Sequence, residues 1–125
     1  MNPDFEAAFN TLKTVLGKYS GRLAVKVDTP IEYTLVTKGP SPFPQHKGQP
    51  LYFGCVRQGK AYVSFHLVAL YLNPKLTAAM APALKKRMQG KACFNFKAPP
   101  EPEALAELKR LTAAANKEWR EKKWA

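Results

Sequence analysis

The chain has 125 residues, 46% of them apolar, enough for one hydrophobic core and too few for two ordinary domains. No apolar run approaches the roughly 18 residues that a membrane span needs. The N-terminal MNPDFEAAFN lacks the basic and apolar segments of a secretory signal, so membrane insertion and secretion are not expected. The net charge of +11 is unevenly placed: residues 33–100 hold ten Lys or Arg and no Asp or Glu, while both flanking segments are nearly balanced.

A helix is predicted over residues 3–19, where Phe5, Phe9, Leu12, Leu16 and Tyr19 recur at the helical period. Asn2 suits its cap, Pro3 its first position and Gly21 its exit. Residues 23–28 and 31–37 read as strands that can pair across Thr29-Pro30. Residues 39–50, GPSPFPQHKGQP, read as an internal loop without regular structure. Residues 51–57 and 60–67 are β-rich runs around Gln58-Gly59 and predict a hairpin. Residues 68–71 are read as an extension of its second strand.

Asn73-Pro74 then opens a helical pattern of Leu76, Met80, Leu84 and Met88. Pro82 interrupts it, so two short helical pieces or one kinked helix are expected, ending near Gly90. Residues 93–96 form a short strand, and a last helix covers residues 102–119 with Leu105, Leu108, Leu111, Ala115 and Trp119 on one side. The economical architecture is α+β: an antiparallel or mixed sheet of about five strands with the terminal helices packed on it.

Chemistry is sparse. Cys55 and Cys93 fall in apolar strand-like runs without metal-ligand spacing, which predicts two buried thiols in a reducing, cytoplasmic setting. His66 occupies the polar phase of its strand and His46 lies in the proline-rich loop. These four show no compact ligand motif, so neither metal nor cofactor is expected. A Ser–His–acid triad would need a carboxylate from an end segment. Glu103 and Glu107 read as surface acids of a first turn.

The strongest binding candidate is the cluster Lys85, Lys86, Arg87 and Lys91, whose charge suits phosphate contacts. Tyr52, Tyr62 and Tyr71 would offer stacking surfaces if exposed. A polyanion or an acidic protein is the partner such a field fits, although the same charge can serve as a solvated surface. The pattern leaves a homodimer open. The competing arrangement is that distant carboxylates fold over the basic cluster. A noncatalytic binding or adaptor domain is one functional class. The other is a small enzyme using a sheet-side pocket near His66, Cys55 and Tyr62.

The segments QPLYFG (residues 49–54), KAYVSFH (60–66) and GKACFNF (90–96) resemble the domain of unknown function 1801 family, also called YdhG-like. The resemblance covers roughly residues 5–120 in element order. It implies a compact α+β fold around a curved antiparallel sheet, found mainly in bacteria. Some relatives of that family are described as frataxin-like iron chaperones, a role that needs an acidic ridge. The carboxylate-free middle of this chain departs from that requirement, and no iron-binding residue carries over to it.

Overall fold

The computed structural model describes residues 3–124, so the cap expected at Asn2 lies outside the described residues. Helix α1, Pro3–Gly17, turns Ala8, Phe9, Leu12, Val15 and Leu16 into the core. It stops two residues earlier than its apolar period suggests, because the Tyr19 and Ser20 amides bond back to the Leu16 and Gly17 carbonyls in a closing turn. Strands β1 (Ala24–Thr29) and β2 (Glu32–Pro40) form an antiparallel hairpin. The Thr29 hydroxyl accepts hydrogen bonds from the Ile31 and Glu32 amides and so fixes its turn. The register slips between Val25 and Val27, leaving Lys26 at a bulge.

Strands β3 (Pro50–Gln58) and β4 (Val63–Leu67) make the expected hairpin with a longer connection. Gln58 pairs with Val63, and the Gly59 amide donates to the Tyr62 carbonyl, so Lys60, Ala61 and Tyr62 are turn rather than strand. Regular structure also invades the ends of the proline-rich segment. Pro40 and Pro50 face each other at the end of the β2–β3 ladder, where a missing amide hydrogen is tolerated, and Pro44–His46 forms a 3-10 turn.

Residues 68–72 do not extend β4. Val68–Leu72 is a short helix, α2, that buries the adjacent pair Ala69 and Leu70, which strand alternation could not place on one side. The interrupted helix is two pieces: a 3-10 turn at Pro74–Thr77, whose first turn is capped by Asn73, and α3 at Pro82–Lys85. Pro82 begins the second piece instead of kinking a continuous one, since its predecessor Ala81 is extended. A two-residue strand, β5 (Met88–Gln89), pairs with β6 (Cys93–Phe96) through a turn in which Gly90 takes a φ of 73°. Helix α4, Pro102–Glu121, closes the fold.

Among the described residues all pairings are antiparallel, and six strands lie in the order β1-β2-β3-β4-β6-β5, one more than the five anticipated. Helices α1 and α4 pack on one face of the sheet, onto Leu35, Phe53, Val56, Phe65, Phe94 and Phe96. Burying side chains of this kind contributes about 1.5–3 kcal/mol each. Trp119 of α4 is fully buried and meets Phe53 edge-on at 5.2 Å. Trp124 is half-buried and stacks its edge against both Trp119 and Phe43, each at 5.6 Å.

Candidate functional site

On the face of the sheet opposite α1 and α4, strand register assembles a polar row. Thr34 of β2 faces Cys55 of β3, Cys55 faces His66 of β4, His66 faces Cys93 of β6, and Cys93 faces Gln89 of β5. The next row runs Glu32, Arg57, Ser64, Asn95. Period-two alternation places both rows outward while Val56, Phe65 and Phe94 point into the core.

Hydrogen bonds knit these rows together. The Thr34 hydroxyl lies 3.1 Å from Glu32 Oε2 and 3.3 Å from Cys55 Sγ. Ser64 Oγ donates to Asn95 Oδ1 at 3.0 Å, and the Asn95 amide group donates to Gln89 Oε1. Glu32 pairs with Arg57 at 3.3 Å. Solvent reaches the face at Arg57, His66 and Tyr52. Lys26, from the β1 bulge, sits 4.9 Å above the Tyr52 ring.

The thiols are half-buried on this face and not core residues as the sequence suggested. Burial raises the Cys55 thiol above its ordinary pKa, against the opposing Thr34 hydrogen bond. Burial also raises Cys93, opposed by Ser64. Partial burial lowers His66, although the residue stays open to solvent on this face. At neutral pH the row therefore carries two thiols and an uncharged imidazole, with no activated thiolate.

Register sets His66 opposite Cys55, with Cys93, Ser64 and Asn95 in neighbouring positions of the same face. Tyr62 does not join them: it is exposed in the turn at the far end of β4. Clefts of about 700, 400 and 560 Å³ are lined by other residues. His46 is held apart in the proline-rich segment, with its Nδ1 2.6 Å from Ser41 Oγ. Among the described residues, no three His, Cys, Asp or Glu side chains converge as a metal site.

The basic segment borders the polar face through β5. The Arg87 carbonyl accepts the Asn95 amide, and Gln89 ends the polar row. Part of its charge is matched: Glu101 lies 3.3 Å from Lys86 and 3.1 Å from Arg87, which hold its carboxyl below the usual range, Arg87 foremost. Lys85 is exposed and has no ion pair among the described residues. Lys91 lies 5.9 Å from the ring of the exposed Tyr71. A carboxylate does fold over the cluster, then, but it covers two of the four cations.

Glu107 departs from its sequence reading. It is 8% exposed, accepts the Ala81 amide at 2.7 Å and pairs with Arg110. It anchors the start of α3 to α4, a structural role that spacing on α4 alone does not reveal. No family model, curated protein or solved structure matches the chain.

Proposed function

We propose that the protein is a noncatalytic binding domain for a phosphate-bearing partner, with residues 85–91 and the adjoining polar sheet face as its contact surface. One observation carries this reading: strands β3 to β6 lie wholly inside the segment without Asp or Glu, so the face they build has no carboxylate of its own. Glu32 and Glu101 border it from the two ends of that segment, and each is already paired with a cation. Lys85 and Lys91 offer charge for phosphates, while Ser64, His66, Asn95 and Gln89 offer neutral donors and acceptors. Lys86 and Arg87 would exchange Glu101 for phosphate on binding.

The enzyme alternative has weaker support. His66 and Cys55 are register neighbours, but burial keeps both uncharged, whereas a thiol nucleophile is activated as a thiolate. Kinship with the YdhG-like family and a cytoplasmic setting belong to the same proposal. They are supported by the quoted hairpin and Gly90–Phe96 motifs and by two free thiols.

Fluorescence anisotropy with a labelled single-stranded DNA tests the proposal. Binding is expected at low salt and should weaken steeply as salt rises. The fourfold variant Lys85→Gln, Lys86→Gln, Arg87→Gln, Lys91→Gln should lose about tenfold or more in affinity, on the scale of losing several charge-assisted contacts. No binding at low salt, or unchanged binding by that variant, removes this surface as the functional site.

A further inference from the structure

On the helix side of the sheet, away from the polar face, α1, β2 and α4 enclose a cleft of about 700 Å³. Its lining combines two chemistries. Val15, Gly17 and the rings of Tyr19 and Tyr33 make an apolar wall, while Lys13, Lys18 and Lys109 bring three ammonium groups. Among the described residues, no carboxylate lines it, although Asp28 pairs with the lining Lys13.

The three lysines are not equivalent. Lys13 is balanced by Asp28 at 2.8 Å and lies 5.2 Å from the centre of the Tyr33 ring. Lys18 and Lys109 have no ion pair among the described residues, and both are exposed. They come from different helices, so the fold brings together two uncompensated charges 91 positions apart. The C-terminal end of α1 would ordinarily disfavour an anion here. Its Leu16 and Gly17 carbonyls, however, are already engaged by the Tyr19 and Ser20 amides.

The wall is held in place from the core side. Tyr33 is 4% exposed and belongs to the packed core. Tyr19 packs against Phe53 with ring centroids 6.2 Å apart. Gly17 leaves room beside the Tyr33 hydroxyl, since an added Cβ would stand 3.7 Å from that oxygen. A flat apolar body would meet the Tyr19 ring, and an acid group attached to it would face Lys18 and Lys109, which line the same cleft. Pockets that pair an apolar lining with a few charged groups are typical of small-ligand sites.

We infer that this cleft binds a small organic anion: an aromatic or similarly flat apolar molecule bearing one phosphate or carboxylate group. The site is separate from the surface proposed above for a phosphate-bearing partner. Simple charge attraction would favour any anion equally, whereas this lining needs the apolar body and the acid together.

The test is a titration of the isotope-labelled full chain, followed by amide NMR shifts, with 1-naphthyl phosphate, 1-naphthol and inorganic phosphate as probes. Saturable shifts centred on Thr14, Gly17, Lys18 and Lys109 are expected with 1-naphthyl phosphate, and much weaker ones with either of the other two. The double variant Lys18→Gln, Lys109→Gln, both at exposed positions, should weaken binding about tenfold while leaving the spectrum folded. Thr14→Trp, at an exposed lining position, should block the cleft with the lysines intact. Shifts centred on residues 85–91 or on the polar face, equal binding of inorganic phosphate or 1-naphthol, no saturable shift, or unchanged affinity in both variants would each overturn the inference. The double variant keeps Lys85, Lys86, Arg87 and Lys91, so single-strand binding through that cluster stands or falls independently.

Discussion

The two faces of this sheet are built from alternate residues of the same strands and held by different physics. Towards α1 and α4, Phe53, Phe65, Phe94 and Leu35 are fully buried and cohere through apolar area, which is non-directional. On the other side, Thr34, Cys55, Ser64 and Asn95 are linked atom to atom, at 3.0 to 3.3 Å in the bonds from Thr34 to Cys55 and from Ser64 to Asn95. The first arrangement tolerates little change of volume, and the second little change of donor or acceptor. Stability and recognition can then be altered separately, because a substitution on the polar face need not open a cavity beneath the helices.

The largest effect should come from the helix side. Trp119→Ala removes a fully buried indole and should cost about 3–5 kcal/mol. Trp124→Ala, at a half-buried position, should cost clearly less in the same urea titration. Its ring covers Trp119, so the loss should still exceed that of a surface substitution. Equal losses at the two positions would mean that the terminal tryptophan belongs to the core as fully as the helical one.

Gly54 probes how tightly that face is filled. An added Cβ would meet Leu16 Cδ2 at 2.8 Å and the His66 carbonyl oxygen at 3.1 Å. Gly54→Ala should therefore destabilise by about 1–3 kcal/mol through overpacking. Gly39→Ala, where nothing lies within 4 Å, should stay within about 0.5 kcal/mol of the parent. Thermal melts of the two variants make the comparison, and matched melting points would show that α1 shifts freely over β3.

Glu107 tests a polar group on the covered side. Glu107→Ala strands the Ala81 amide and should cost about 1–3 kcal/mol. Hydrogen bonding from Arg110, with the Ala81 amide, holds the carboxyl below its usual range. Its contribution should be present above pH 4.5 and fade as the pH falls through the lower folded value. A stability difference between parent and variant that does not narrow in acid would contradict this assignment.

The smallest effect belongs to the polar face. His66 is depressed by burial from an ordinary value of 6.5, so below that pH the unfolded chain binds a proton that the folded chain resists. Relative to His66→Gln, the parent should lose stability as the pH drops from 8 towards 5. The gap should level off below the depressed folded value. Urea titrations at a series of pH values read it, and a pH-independent gap would show that His66 is freely solvated.

Much of this architecture follows from local pattern. The apolar stripes of α1 and α4 and the alternation through β3 and β4 are strong because each element buries one side. Other features depend on partners remote in sequence. The pair Met88–Gln89 is too short to signal a strand and becomes one only because β6 lies beside it. The run at residues 68–71 is apolar throughout, so periodicity cannot separate strand from helix there. Alternation placed His66 outward, yet the row from Thr34 to Gln89 also required the β3–β4 register and the adjacency of β4 and β6. Glu107 looked like a surface acid because the amide it serves comes from 26 positions earlier in the chain. The cluster at residues 85–91 was visible as charge, and its partial neutralisation by Glu101 was visible only as an alternative.

The bulge at Lys26 has a bearing on how this domain behaves in company. β1 is a terminal strand of the sheet, and its unpaired outer backbone is the sort of template on which proteins polymerise edge to edge. A straight visiting strand would fall out of step at the slipped register between Val25 and Val27. At the opposite border, β5 offers only two residues to pair with. The sheet therefore ends in two poor templates for edge-to-edge pairing.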